Sequence, residues 1–333
     1  MLPNRKLKLI DAYNRQLNYL RISITDRCNL RCVYCVPHDL IPRLPHDEIL
    51  RYEEILRIAR VGVDLGISKV RVTGGEPLVR KGVYEFLAHL TQINGLADVA
   101  LTTNGIFLKE NIEKIKSAGI RRINISLDTL DRKKYAQTTG VDKFQQVWEG
   151  IELARNSGFY PIKINVVALR GINADELTNF AKLSISYPFH IRFIEYMPIG
   201  KSRMTFEPPL LIPEIKERIS SIGKLAHVKK GRYDGPAERF KFEGAQGEIG
   251  FIGALSHHFC DACNRLRLTA SGQLRPCLLS DHQLDLKLPL RNGCSDKELA
   301  DILLAAVRTK PSNHNLAIKD PVGVHCQMSS IGG

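Results

Sequence analysis

Three cysteines, Cys28, Cys32 and Cys35, fall in one short stretch with C-x3-C-x2-C spacing. Three more, Cys260, Cys263 and Cys277, follow a C-x2-C-x13-C pattern. Thiols this close in sequence can converge on a single centre, and two chemistries compete for them. A structural zinc site takes four ligands, the fourth being His38 or His46 for the first group and Cys294, His257 or His258 for the second. A cubane iron–sulfur cluster held by three cysteines instead keeps one iron without a protein ligand, free to bind a small molecule. On spacing alone both chemistries stay open for each group, with zinc carrying more weight for the second than for the first. Cys294 and Cys326 otherwise read as structural thiols.

Two further motifs suit ligand binding. Thr73-Gly74-Gly75-Glu76-Pro77 ends a strand-like run. Its glycines let the backbone approach a ligand, and Pro77 stops strand pairing. Between the cysteines of the second group lies Asn264-Arg265-Leu266-Arg267-Leu268-Thr269. On a strand Arg265 and Arg267 share a face, offering two guanidinium forks to a phosphate.

The elements that must position these residues alternate along the first two-thirds of the chain. Strands are expected at Tyr19–Thr25, Lys69–Thr73, Val99–Thr103, Arg122–Leu127, Ile162–Ala168 and Ile191–Glu195. Helices are expected at Glu48–Leu65, Gly82–Gln92, Lys109–Ser117, Phe144–Ser157 and Ala174–Ser186. Strand–helix repeats imply a parallel sheet with right-handed crossovers. Four of the strands alternate apolar with polar residues: Leu20 and Ile22 against Arg21 and Ser23, Val70 and Val72 against Arg71, Ile123 and Ile125 against Asn124 and Ser126, Ile162 and Ile164 against Lys163 and Asn165. One face then packs on helices and the other is polar and cationic. That fits an α/β, incomplete (β/α)6 TIM-type barrel with a concave ligand face better than a closed, filled one. After Lys201 the texture changes to prolines, glycines and short strands at Glu248–Ile252 and Arg265–Thr269, then a helix at Asp296–Thr309. The expected division is a barrel over 1–220 and a smaller α+β region over 221–333 carrying the second cysteine group.

The 333 residues carry 48 Lys and Arg against 35 Asp and Glu, a formal charge of +13 that favours an anionic partner. At 44% hydrophobic and 25% charged the chain can build a core, which excludes a disordered or fibrous protein. No run of 18 apolar residues occurs and no signal-like start is read, so a cytoplasmic location is expected rather than a membrane or secreted one.

Leu20–Ser23, Thr25–Asn29, Arg71–Pro77, Ser256–Cys260, Cys263–Thr269 and Leu274–Cys277 together closely resemble the GTP 3′,8-cyclase (molybdenum cofactor biosynthesis protein A) family of the radical S-adenosylmethionine (SAM) superfamily. The likeness runs from about Leu20 to the terminal Gly332-Gly333, with Val36 where the family commonly has methionine. It implies a 4Fe-4S cluster on Cys28, Cys32 and Cys35, with SAM contacted by Tyr34, Gly75, Ser126 and Met197. It implies a second 4Fe-4S cluster on Cys260, Cys263 and Cys277. GTP would meet Arg21, Arg71, Thr102, Lys163, Arg265, Leu266 and Arg267, with Arg21, Arg265 and Arg267 as catalytic arginines and Asn165 and Arg192 behind them. In such enzymes the reduced first cluster splits SAM, the radical formed takes hydrogen from ribose C3′, and the sugar closes onto guanine C8. The resemblance further implies an external electron donor and a downstream cyclic pyranopterin monophosphate synthase, with no nucleic-acid or membrane partner. A homodimer is compatible with the sequence but not required by it.

Two rival readings are a radical SAM enzyme acting on peptide or RNA and a zinc protein that binds nucleic acid. The 7% aromatic content offers no obvious stacking platform for single-stranded bases, and the Thr73–Pro77 loop weighs against the zinc protein. The Gly332-Gly333 tail has two readings, a frayed terminus and the favoured one that the resemblance implies, a thin segment threading toward the active site.

Overall fold

The structure, a computed structural model, describes residues 8–36, 43–200, 202, 204, 207–229, 231, 235–314 and 324–332. His38 and Gly333 lie outside the described residues.

Six parallel strands come first: β1 (Tyr19–Ser23), β2 (Lys69–Thr73), β3 (Asp98–Thr103), β4 (Arg122–Ser126), β5 (Ile162–Ala168) and β6 (Phe189–Glu195). The crossovers carry α1 (Tyr52–Asp64), α2 (Val83–Thr91), α3 (Leu108–Ser117), α4 (Arg132–Thr139), α5 (Phe144–Asn156) and α6 (Leu177–Ser186). After β6 follow α7 (Ile212–Ile219), β7 (Leu225–Val228), β8 (Glu238–Phe242), β9 (Glu248–Ile252), β10 (Arg265–Leu268), β11 (Gln273–Arg275) and β12 (Leu284–Asp285). Helices α8 (Lys287–Arg291), α9 (Asp296–Arg308) and α10 (Met328–Ile331) end the described fold.

The alternation read in the strands is the organising feature. Leu20, Ile22, Val70, Val72, Ile123, Ile125, Ile162 and Ile164 all lie in the buried core, while their odd or even neighbours turn to the other face. The core therefore sits between sheet and helices, and the inner face is left to polar groups.

The later strands do not form a sheet of their own. The order is β12-β11-β10-β1-β2-β3-β4-β5-β6-β9-β8-β7. Strand β10 pairs parallel with β1, and β9 pairs parallel with β6. The second region thus adds a parallel strand to each edge of the six-stranded sheet, and its antiparallel strands lie outside those. Glu195, fully buried at the end of β6, ties the two parts together. Its carboxylate accepts from Ile212 N (2.8 Å), Leu255 N (2.7 Å), Ser256 N (3.0 Å) and the Ser256 hydroxyl.

Two helix starts differ from expectation by several residues, for local reasons. The first crossover helix starts at Tyr52 rather than Glu48, because Glu54 turns back to accept from Arg51 N at 2.6 Å and caps the helix there. The helix expected from Ala174 starts at Leu177, because the Asn173 amide donates to the Asp128 and Val167 carbonyls and holds the preceding turns. Helix α4 escaped the sequence reading because Arg-Lys-Lys-Tyr-Ala-Gln-Thr-Thr has no apolar stripe. Its start is set by Asp131 Oδ1 accepting from Lys134 N and its end by Gly140 at φ +81°.

Candidate active site

The loop after β1 carries Cys28, Cys32 and Cys35 against the C-terminal end of the sheet. Backbone bonds fix it on two sides. Gly75 N donates to Thr25 O (2.7 Å) and Glu76 N to Arg27 O (2.8 Å), while Arg31 N and Val33 N donate to Thr139 and Thr138 O at the end of α4. Gly75 is required by this approach: a Cβ there would stand 2.4 Å from Arg27 O. The neighbouring Glu76 is fully buried and accepts from Leu78 N, Thr103 Oγ1 and Asn104 N, and Asn104 Nδ2 in turn reaches Cys28 Sγ at 3.9 Å.

None of the described cysteines is in a disulfide. Cys28, Cys32 and Cys35 lie within electrostatic reach of one another, as do Cys260, Cys263 and Cys277. The two sets differ in their surroundings. Burial pushes Cys35 up to about 12, with Cys28 and Asp128 adding to it, and pushes Cys32 well above the usual thiol range. Burial also acts on Cys263, but the Arg265 and Lys310 charges outweigh it and hold that thiol at about 6. A thiolate is the ligand form for iron or zinc; the second set holds Cys263 toward that form, while in the first a bound metal's own charge would have to supply what burial withholds.

Between the sets lies a cavity of about 300 Å³ lined by all six of these cysteines. Its floor is a row of guanidinium groups set by strand register: Arg21 is directly opposite Arg267 on β10 and Arg71 on β2, with adjacent strands about 4.8 Å apart. Burial, then Arg71 and Arg265, depress Arg21 to about 10, and burial with Arg21 and Arg265 depresses Arg267. Such like charges are held together out of water and favour a polyanion among them. Thr102 Oγ1, Asn165 Oδ1 and Arg71 Nε, on residues lining the cavity, are buried without a protein hydrogen bond. Groups left so cost about 1–3 kcal/mol each unless a ligand satisfies them.

Most of the expected site residues meet here. Tyr34, Gly75, Ser126, Met197, Thr102, Asn165, Arg192, Arg21, Arg71, Arg265 and Arg267 all line the cavity. Two do not. Leu266 alternates to the opposite face and is fully buried in the core, so its side chain points away from the cavity. Lys163 shares the inner face but is buried outside the lining, beside Arg71, Arg192, Arg122 and Lys69.

The histidines offered as fourth ligands divide. His46 is engaged with Arg27, whose Nη2 lies 3.2 Å from His46 Nε2. His257 is exposed near Glu238. His258 and His314 form a grouping with Cys260 whose ligand atoms lie within 4.8 Å of one another, and their rings stack at 4.1 Å. Cys294 sits before α9, where its carbonyl accepts from Arg57, outside the cavity lining. Cys326 lies 2.8 Å from Arg275 Nη1.

The sequence reading missed several residues that shape this site. Lys69, level with Tyr19 on the inner face, pairs with Asp98 at 3.3 Å. Asp128 accepts from the Tyr34 hydroxyl, Arg15 donates to the Cys260 carbonyl, and Lys310 is buried against the second cysteine set. Lys69 was legible, since it stands two residues before Arg71 on one strand face. Arg15 and Lys310 were not, because each acts across more than thirty residues.

The family model for the radical SAM superfamily matches residues 22–184, and that for Molybdenum Cofactor Synthesis C matches residues 189–316. A protein of Thermodesulfovibrio yellowstonii named GTP 3′,8-cyclase is 48% identical over 97% of this chain and 99% of its own. One of Moorella thermoacetica with that name is 49% identical over 97% and 99%. The chain belongs to the GTP 3′,8-cyclase family. As a radical SAM family member it shares its fold with Streptococcus suis SuiB bound to S-adenosylmethionine, at a TM-score of 0.63 and 16% identity, covering 89% of this chain and 69% of that one. No helix among the described residues is long and apolar enough to cross a membrane.

Proposed function

We propose that the two cysteine sets and the arginine row between them are the working parts of a GTP 3′,8-cyclase. The enzyme converts GTP to 3′,8-cyclo-7,8-dihydro-GTP, the first step of molybdenum cofactor biosynthesis, and uses SAM and two 4Fe-4S clusters. The observation that carries the assignment of parts is the register Arg267–Arg21–Arg71 across three parallel strands, flanked on either side by three free thiols.

In this reading Cys28, Cys32 and Cys35 hold one cluster, and Tyr34, Gly75, Ser126 and Met197 line the place of SAM. Cys260, Cys263 and Cys277 hold the other. When bound, the first cluster supplies the electron that cleaves SAM reductively and so starts hydrogen-atom abstraction from the ribose. The chain's own contribution is position and charge. Arg21, Arg71, Arg265 and Arg267 anchor the triphosphate, and Lys163 supports them from behind. Thr102 and Asn165 present unsatisfied polar atoms to the nucleotide. Leu266 contributes only main chain. Holding ribose and base within one cavity makes ring closure intramolecular, which lowers the entropic part of its barrier. The buried walls keep water from competing for the reactive sugar.

The enzyme draws electrons from an external donor. We further place it in the cytoplasm, acting ahead of a cyclic pyranopterin monophosphate synthase; sedimentation reads whether two copies assemble as a homodimer. Anaerobic incubation with GTP, SAM and reductant, followed by mass spectrometry of nucleotide and SAM products, tests the reading. Arg265→Ala with Arg267→Ala should abolish cyclisation while reductive SAM cleavage persists. Retained cyclisation would remove the arginines from their assigned role.

A further inference from the structure

Lys310 follows α9 and Thr309 and is 4% exposed, although no carboxylate among the described residues is hydrogen bonded to it. Its ammonium donates to the Arg265 carbonyl at 3.0 Å and to the Pro276 carbonyl at 2.6 Å. It also hydrogen bonds Cys263 and lies in the field of Cys277. Pro276 immediately precedes Cys277, and Arg265 lies two residues after Cys263. One ammonium therefore braces both arms of the C-x2-C-x13-C segment. A second brace completes the frame: Arg15, paired with Asp11 at 2.5 Å, donates to the Cys260 carbonyl at 2.7 Å and to the Pro311 and Ser312 carbonyls at 2.6 and 3.0 Å.

The first cysteine set has a brace of its own, Arg31, whose Nη1 donates to the Cys28 and Leu30 carbonyls at 2.8 and 2.7 Å. Its other charged neighbours are the Asp128 and Glu76 carboxyls. The carboxyls make the field at the first set more negative than that at the second, where Arg265 and Lys310 lie against Cys263. A buried cation beside a redox centre stabilises the form with more negative charge, which is the reduced one, and hydrogen bonds to the ligand sulfurs act in the same direction.

We propose that Lys310 is a positioning residue of the C-terminal iron–sulfur centre, bracing the chain on both sides of its ligands and raising its reduction potential above the value the thiolates alone would give. This rests on the reading that Cys260, Cys263 and Cys277 hold that centre.

The test is a potentiometric titration of the reconstituted full-length enzyme followed by electron paramagnetic resonance. The signal lost in Cys263→Ala identifies the C-terminal centre. Lys310→Met should lower that centre's reduced-to-oxidised ratio at fixed potential about tenfold, a shift of about 59 mV for one electron, and leave the N-terminal centre where it was. Lys310→Arg, which keeps the charge, should restore most of the difference. An unmoved C-terminal potential at normal iron and sulfide content overturns the proposal, as does an equal shift of both centres. If Lys310→Met fails to retain the C-terminal iron, Lys310→Arg decides: a retained centre at near wild-type potential supports the role, and a lost one overturns it. A Cys263→Ala enzyme that keeps the whole C-terminal signal refutes the ligand assignment itself, a result distinct from any failure confined to Lys310.

Discussion

The Tyr34 hydroxyl donates to Asp128 Oδ2 at 2.6 Å, so a residue set between two cysteines is locked to the segment that leaves β4. Asp128 Oδ1 accepts from Val167 N at 2.8 Å, extending the lock to β5. Burial raises this carboxyl to about 6, against the lowering effect of both donors. Its native pKa lies above its unfolded value, so between about pH 4 and 6 the folded chain binds more protons and this group's contribution to stability falls as pH rises. Tyr34→Phe removes one donor, should cost about 1–3 kcal/mol, and should steepen that fall. Melting temperatures of the variant and parent at pH 4.5 and 7 check both; a parallel loss at the two pH values would contradict the linkage.

Arg267 Nη1 donates to the Gly332 carbonyl at 3.1 Å, which brings the tail to the arginine row. Gly332 has φ +72°, and a Cβ there would meet Thr73 Cγ2 at 2.7 Å and Ser23 Cβ at 3.0 Å. Gly332→Ala should displace the tail and lower the cyclisation rate about tenfold or more, roughly 1.4 kcal/mol in the barrier. Iron content and SAM cleavage without GTP should be unchanged. A chain ending at Ile331 should behave alike, and full cyclisation by either variant would leave the tail without a part in turnover.

Lys163 is a strongly perturbed cation of the inner face. Burial first, then Arg192, Arg122, Arg71 and Lys69, depress it to about 5. An unfolded lysine titrates near 10.4, so in this window the unfolded chain binds more protons and stability from this group rises with pH. A polyanion reverses the field, so GTP binding near pH 7 should be accompanied by uptake of close to one proton. Calorimetry in two buffers of different ionisation enthalpy measures it directly. Lys163→Met should abolish the uptake, weaken GTP binding, and raise the melting temperature of the ligand-free protein. Identical binding heats in both buffers would show that Lys163 is already charged.

Much of this was legible because strand alternation is a local signal. Arg21 and Arg71 could be put on the polar face, and Arg267 on the same face as Arg265, by counting in twos, and the two cysteine spacings are contained within short stretches. What sequence did not disclose was pairing between distant strands. Nothing local in Arg265–Leu268 says that it will lie beside Tyr19–Ser23 rather than in a separate sheet. Residues that brace the site from afar were hidden for the same reason. Arg15 reaches Cys260 across 245 positions, and Glu195 reaches Leu255 across 60. Helix α4, which holds the back of the cysteine loop, was hidden by its polar composition. Leu266 shows the converse: a motif places a residue near a site, and the pleat decides which way it looks.

The edge pairing has a consequence for how the protein is made. Strands β1 and β6 leave the ribosome before their outer partners, residues 265–268 and 248–252. Until those arrive, the nascent chain carries two unprotected sheet margins, of five and seven residues, the kind of surface that recruits another chain. A polypeptide terminated after β6 should therefore accumulate in inclusion bodies, and synthesis of the intact enzyme should lean on chaperones until its last third has been translated.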